Sequence, residues 1–154
     1  MYIHQYQLPE LQKLAIPNKV VLVYGPRRTG KTTLLQHFNQ GLREPQHLVS
    51  GEDVFVQQVL SSKSIDKLKS FVGQKKWLFI DEAQKIPNIG LNLKLIIDHI
   101  QDIRVIATGS SSFDLASQVG EPLTGRKWTL RLFPLSQLEL KETENTAETA
   151  ARLE

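Results

Sequence analysis

Residues 20–33 read VVLVYGPRRTGKTT, and the rest of the chain is placed by what this stretch requires. An apolar run from Val20 to Tyr24 meets Gly25, and Gly30-Lys31-Thr32 follows after four intervening residues. The spacing is a complete G-x-x-x-x-G-K-[ST] loop, set after a predicted strand and before a predicted helix, as phosphate binding needs. Glycine lets the backbone close around oxyanions, and the start of the helix adds unpaired N–H groups and partial positive charge. The stretch therefore predicts a site for a nucleoside triphosphate with magnesium. Gly25, Pro26, Arg27, Arg28, Thr29, Gly30, Lys31, Thr32 and Thr33 form the cradle. Its backbone N–H groups from Thr29 to Thr33 meet the phosphates, Lys31 reaches the β- and γ-phosphates, and the Thr32 hydroxyl binds Mg²⁺. Arg27 and Arg28 read as solvated charges that raise the local positive potential.

Outward from the loop, apolar runs alternate with helical patterns. Strands are expected over 20–24, 46–50, 76–80, 103–107 and 127–132. Helices are expected within 2–16 and over 31–40, a stretch opening at 51–53, 64–71, 90–100, 112–119 and 136–141. In the 64–71 helix Ser64 is the N-cap and Ile65, Leu68 and Phe71 the apolar face, while Leu91, Leu95 and Ile96 point inward from the 90–100 helix. Strands linked by helices predict an α/β domain: a parallel sheet with helices on both faces. One domain is expected over 1–141, followed by a polar Thr-, Glu- and Ala-rich tail over 142–154 that reads as the truncation point of a longer protein.

The 154 residues carry a net charge of +3, mild enough to permit a nucleic-acid partner without predicting one. No cysteine is present, which excludes disulfides and thiolate chemistry and is compatible with the cytoplasm. No stretch is long and apolar enough for a bilayer, so no membrane partner is expected. His4, His37, His47 and His99 lack metal-ligand spacing, and Trp77 and Trp128 at strand starts read as packing residues.

WLFIDEAQ (77–84) carries the second part of the chemistry. An apolar strand ending in Asp matches the Walker B pattern, so Asp81 is the expected magnesium-shell carboxylate. Glu82 is the expected general base for an attacking water. The polar ATGSSS (107–112) ends a strand that can lie between the other two, where a hydroxyl would meet the γ-phosphate or the water. Ser110 is the first choice, with Thr108 and Ser111 as alternatives. Arg126, in LTGRKW, is either an arginine finger for a neighbour's γ-phosphate or a surface or structural arginine.

With GPRRTGKT, WLFIDEAQ, ATGSSS and LTGRKWTLRLFPLSQLEL in hand, the chain resembles the N-terminal domain of the AAA+-type P-loop ATPases of bacteria and archaea. In those proteins a C-terminal domain of poorly understood function follows the ATPase. The resemblance runs from about residue 14 to 141, and its last segment is more specific than either Walker motif. It implies a three-layer fold with five parallel strands in order 5-1-4-3-2. Lys31, Thr32, Asp81 and Glu82 take Walker roles, Ser110 the sensor-1 position and Arg126 the family's GR. There is no room for a helical lid with a sensor-2 arginine, and the C-terminal domain is absent. ATP hydrolysis as a motor or switch domain is the expected function, with a homo-oligomer possible and nucleic acid reached by family analogy alone. A nucleotide-gated binding module with little turnover is the alternative, and a P-loop small-molecule kinase ranks lower because no Arg-rich lid is present.

Overall fold

The computed structural model describes residues 7–25, 31–110 and 123–131. The elements, in order, are α1 (Gln7–Leu14), β1 (Val20–Tyr24), α2 (Lys31–Gln40), β2 (Gln46–Ser50), α3 (Val54–Leu60) and α4 (Ile65–Val72). Then come β3 (Trp77–Asp81), a 3₁₀ turn (Ala83–Lys85), α5 (Ile89–His99), β4 (Arg104–Gly109) and β5 (Lys127–Arg131). The helices expected over 112–119 and 136–141, the tail over 142–154, and Pro26 to Gly30 of the loop lie outside the described residues.

The five strands form one sheet in order β2-β3-β4-β1-β5, and every pairing is parallel. Read from the other edge, this is the expected 5-1-4-3-2. Parallel strands need helical crossovers, which cover both faces and force the central strands to be apolar on both sides. All five residues of β1 are accordingly buried. Val20, Leu22 and Tyr24 face a core shared with α3, α4 and α5, while Val21 and Val23 face one shared with α1 and α2. Trp77 and Phe79 of β3 stack in the second core with ring centroids 5.8 Å apart, and Phe38 of α2 meets both.

Local chemistry sets the element ends. Asp53 accepts from the Phe55 and Val56 N–H groups, and Ser64 accepts from Lys67, so both cap their helices as short polar side chains do. Asn18, in the left-handed region at φ 59°, donates Nδ2 to the Ile97 and Ile100 carbonyls and ties the end of α5 to the start of β1.

Three packing expectations are corrected. In α5 the stripe facing the sheet is Ile89, Leu93, Ile96 and Ile97; Leu91 is 38% exposed and Leu95 only partly buried. The helix starts at Ile89, just after the left-handed Asn88, and positions 89, 93, 96 and 97 then share one face at 3.6 residues per turn. Asn92 is buried on that helix because Nδ2 donates to the Asn88 carbonyl and Oδ1 accepts from the Lys63 N–H. In α4, Val72 joins Leu68 as a buried residue while Ile65 and Phe71 are only half-buried. Trp128 likewise departs from a packing role, being 44% exposed on edge strand β5 with the Lys19 ammonium 5.9 Å from its ring centre.

Candidate nucleotide site at the sheet edge

In a parallel sheet the polar residues that end the strands share one edge. Here β1, β3 and β4 are neighbours and end at Tyr24, Asp81 and Gly109, so α2, the DE pair and the ATGS segment converge. β4 lies between β1 and β3, as the sequence requires of a strand carrying a hydroxyl to the phosphate end.

Lys31 opens α2, is only 5% exposed, and donates Nζ to the Gly25 carbonyl at 2.7 Å. Burial holds its ammonium below the ordinary lysine range, and the charges of Glu82 and Asp81 pull the other way. The desolvated ammonium is electrostatically matched to an incoming polyphosphate, and the two carboxylates to a divalent cation accompanying it. Next to it, the Thr32 hydroxyl donates to Asp81 Oδ2 at 2.8 Å. The other carboxylate oxygen, Oδ1, accepts from Thr108 Oγ1 at 2.6 Å. Thr108 is fully buried and its oxygen also accepts from the Glu82 N–H at 3.1 Å. Its hydroxyl thus holds the end of β3 from behind.

Ser110 sits two residues on and reaches the acidic side chain itself. Its Oγ lies 3.1 and 2.9 Å from the two Glu82 carboxylate oxygens. Of the three hydroxyl candidates, Ser110 meets Glu82, Thr108 meets Asp81, and Ser111 lies outside the described residues. Glu82 occupies the left-handed region at φ 54° and ψ 47°, an uncommon conformation for a residue with a side chain. Gly51 makes that turn possible. Its N–H donates to the Asp81 carbonyl at 2.7 Å, and a Cβ there would come within 2.1 Å of the Glu82 carbonyl oxygen.

The donor set fits magnesium. A threonine hydroxyl and a carboxylate are hard oxygen ligands, and Mg²⁺ is commonly held by one or two carboxylates together with substrate phosphates. Among the described residues no group of three or more His, Cys, Asp or Glu is placed to hold a metal by itself.

The structure does not bring Arg126 to this edge. It precedes β5, its carbonyl accepts from the Val20 N–H at the opposite end of the sheet, and its guanidinium pairs with Asp98 of α5 at 2.8 Å. Thr33 is described and exposed, whereas Pro26, Arg27, Arg28, Thr29 and Gly30 are not described. Sequence reasoning missed two contributors. Gly51 was legible only as a helix-opening turn, since its close approach to β3 exists only in the assembled sheet. Gln84, whose Nε2 donates to Glu82 Oε2 at 2.6 Å, stands in the quoted WLFIDEAQ, but nothing in the linear pattern marks a residue two positions on as a partner.

Comparison with known proteins agrees with this fold. Residues 17–141 match the family described as an AAA domain. An uncharacterized protein of Mycobacterium tuberculosis is 32% identical over 129 residues, covering 83% of this chain and 27% of that protein. An uncharacterized protein of Methanocaldococcus jannaschii is 30% identical over 133 residues, covering 84% of this chain and 30% of its own length. The chain therefore spans under a third of these relatives. Among solved structures, domain III of the Thermotoga maritima replication initiation protein DnaA superposes with a TM-score of 0.65 at 15% identity, over 99% of this chain and 72% of that one. A DnaA replication initiator bound to AMPPCP and single-stranded DNA gives 0.63 at 17% identity, over 99% and 57%. The T. maritima RuvB Holliday junction branch migration motor gives 0.60 at 24% identity, over 98% and 51%. At such identities these likenesses concern the fold.

Proposed function

The chain belongs to the AAA domain family of P-loop ATPases, and from that premise we propose that it binds Mg·ATP and hydrolyses the β–γ phosphoanhydride as the motor or switch domain of a longer protein. The observation that carries this reading is the joined constellation at the sheet edge: buried Lys31, the Thr32–Asp81–Thr108 chain, and Glu82 beside Ser110. Lys31 supplies a fixed, desolvated positive charge for the β- and γ-phosphates. Glu82 accepts a proton from water as the water oxygen bonds to the γ-phosphorus and the bond to the bridging oxygen breaks, so that ADP leaves. Ser110 donates to the γ-phosphate, where charge develops. Thr32 and Asp81 would hold Mg²⁺, which when bound offsets negative charge on the phosphate oxygens.

Thr108 is assigned the supporting role and Ser110 the sensing one. Arg126 faces away from the chain's own site, so a finger role for it requires a neighbouring copy. That a fold-neighbour is recorded with AMPPCP supports the nucleotide; its single-stranded DNA is an analogy, and the mild net charge adds nothing to it. Among the described residues no helix is long and apolar enough to cross a membrane.

The test is Mg·ATP binding and phosphate release by the chain, with Lys31→Ala and Glu82→Gln alongside. The expected result is binding lost in Lys31→Ala, and binding kept with turnover lost in Glu82→Gln. Binding without turnover in the parent favours the nucleotide-gated module. Phosphate passed to an acceptor faster than to water favours the kinase. Unchanged turnover in Glu82→Gln overturns the assigned base.

A further inference from the structure

Glu82 is held more completely than a solvent-facing carboxylate needs to be. Its N–H donates to Thr108, its backbone turn is backed by Gly51, and its side chain accepts from both Ser110 and Gln84. The two side-chain donors differ in what they can do later. Ser110 has one hydroxyl hydrogen and lies near both carboxylate oxygens, so it cannot donate to Glu82 and to a phosphate oxygen together. Once it turns to a γ-phosphate, Glu82 loses that bond.

Gln84 has no such competing demand. Its Nε2 is 2.6 Å from Glu82 Oε2, and its Oε1 is buried with no hydrogen-bond partner among the described residues. Among the described residues the amide bonds to the Glu82 carboxylate, and a flipped amide would set its oxygen against Glu82. A short amide N–H bond to a carboxylate is charge-assisted and among the stronger kinds of hydrogen bond. The short turn that carries Gln84 is anchored by Ala83 and Ile86, both fully buried, so the amide is presented from a rigid base.

We propose that Gln84 is a positioning residue that keeps the Glu82 carboxylate aimed at the water after Ser110 has moved to the γ-phosphate. This rests on Glu82 acting as the base. Proton abstraction depends steeply on orientation, and a displacement of about 1 Å can cost on the order of 100-fold in rate.

Two measurements test it. In steady-state ATP hydrolysis, Gln84→Met removes the donor while keeping side-chain length; KM is expected to stay within about twofold while kcat falls about 10- to 100-fold. Gln84→His, which keeps an N–H donor, should recover part of the loss. Independently of turnover, the Gln84 side-chain amide is followed by ¹H–¹⁵N NMR in the unaltered chain. One amide proton is expected downfield, moving upfield in Glu82→Ala and staying downfield when Mg·AMPPNP is added. An unchanged kcat in Gln84→Met, or loss of the downfield signal on Mg·AMPPNP binding, overturns the proposal. Full activity in Glu82→Gln would instead remove the assignment of Glu82 as the base, on which this proposal rests. A parent without turnover still leaves the amide signal to decide.

Discussion

Thr108→Val replaces one hydroxyl by a methyl of nearly the same volume, in a side chain with no solvent exposure. The hydroxyl donates to Asp81 Oδ1 at 2.6 Å and accepts from the Glu82 N–H at 3.1 Å. Losing a hydrogen bond to a charged group costs about 1.5–3 kcal/mol, and stranding a buried N–H costs about 1–3 kcal/mol more. Asp81 keeps its Thr32 contact and is only half-buried, so water replaces part of the first loss. The lower half of the range applies, about 3 kcal/mol in all. For a domain of this size that corresponds to a Tm lowered by about 6–12 °C. Thr108→Ser is the control, since it keeps the hydroxyl and loses one buried methyl, for about 1 kcal/mol. Urea unfolding followed by circular dichroism, with the m-value checked for constancy, measures both. If Val costs no more than Ser, the hydroxyl does not hold the end of β3 and the assignment of Thr108 as the supporting residue is wrong.

Gly51→Ala sets a Cβ 2.1 Å from the Glu82 carbonyl oxygen and 3.3 Å from that of Asp81, both backbone atoms that no side-chain rotation can move. Stability is expected to fall by at least about 1–3 kcal/mol, and ATP turnover to fall further than ATP affinity, in paired unfolding and kinetic measurements. Arg126→Ala breaks a partly exposed ion pair with Asp98, so stability should drop by less than about 1 kcal/mol and ATP affinity should not change by isothermal titration. A large loss of affinity would place Arg126 at the chain's own site. His47 packs on Phe71 with ring centroids 4.7 Å apart, and burial, with the Lys75 charge second, pushes its pKa below the ordinary 6.5. The unfolded chain then binds a proton more readily, so stability is complete above about pH 6.5 and is lost as pH falls toward the folded-state value. In urea midpoints taken across that window, His47→Gln should flatten the slope.

Much of the architecture was legible in linear order. The buried run of β1, the Lys-Thr that starts α2 and the acidic end of β3 are local signals, because strand burial and helix initiation each depend on a few consecutive residues. Ser64 as a cap belongs to the same class. The face of α5 differs from the sequence reading because two leucine and isoleucine stripes are available, 89/93/96/97 and 91/95, and the left-handed Asn88, which sets the start of the helix, has no unambiguous sequence mark. The 3₁₀ turn at Ala83–Lys85 was missed because it is too short to show a period.

The amino-acid sequence by itself determined the chemistry on offer: a lysine and threonine at a helix start, an Asp-Glu pair at a strand end, and a run of hydroxyls at another. Only the tertiary structure decided which hydroxyl meets which carboxylate. Thr108 and Ser110 are two residues apart, yet one is buried behind Asp81 and the other reaches Glu82. It also set Arg126 at the far edge of the sheet, and brought Gly51 and Gln84 against Glu82. The physical reason is that parallel pairing, set by crossovers and by burial on two faces, brings the ends of distant segments to one edge. Contacts across that edge depend on register and backbone approach to within an ångström, which no linear spacing encodes.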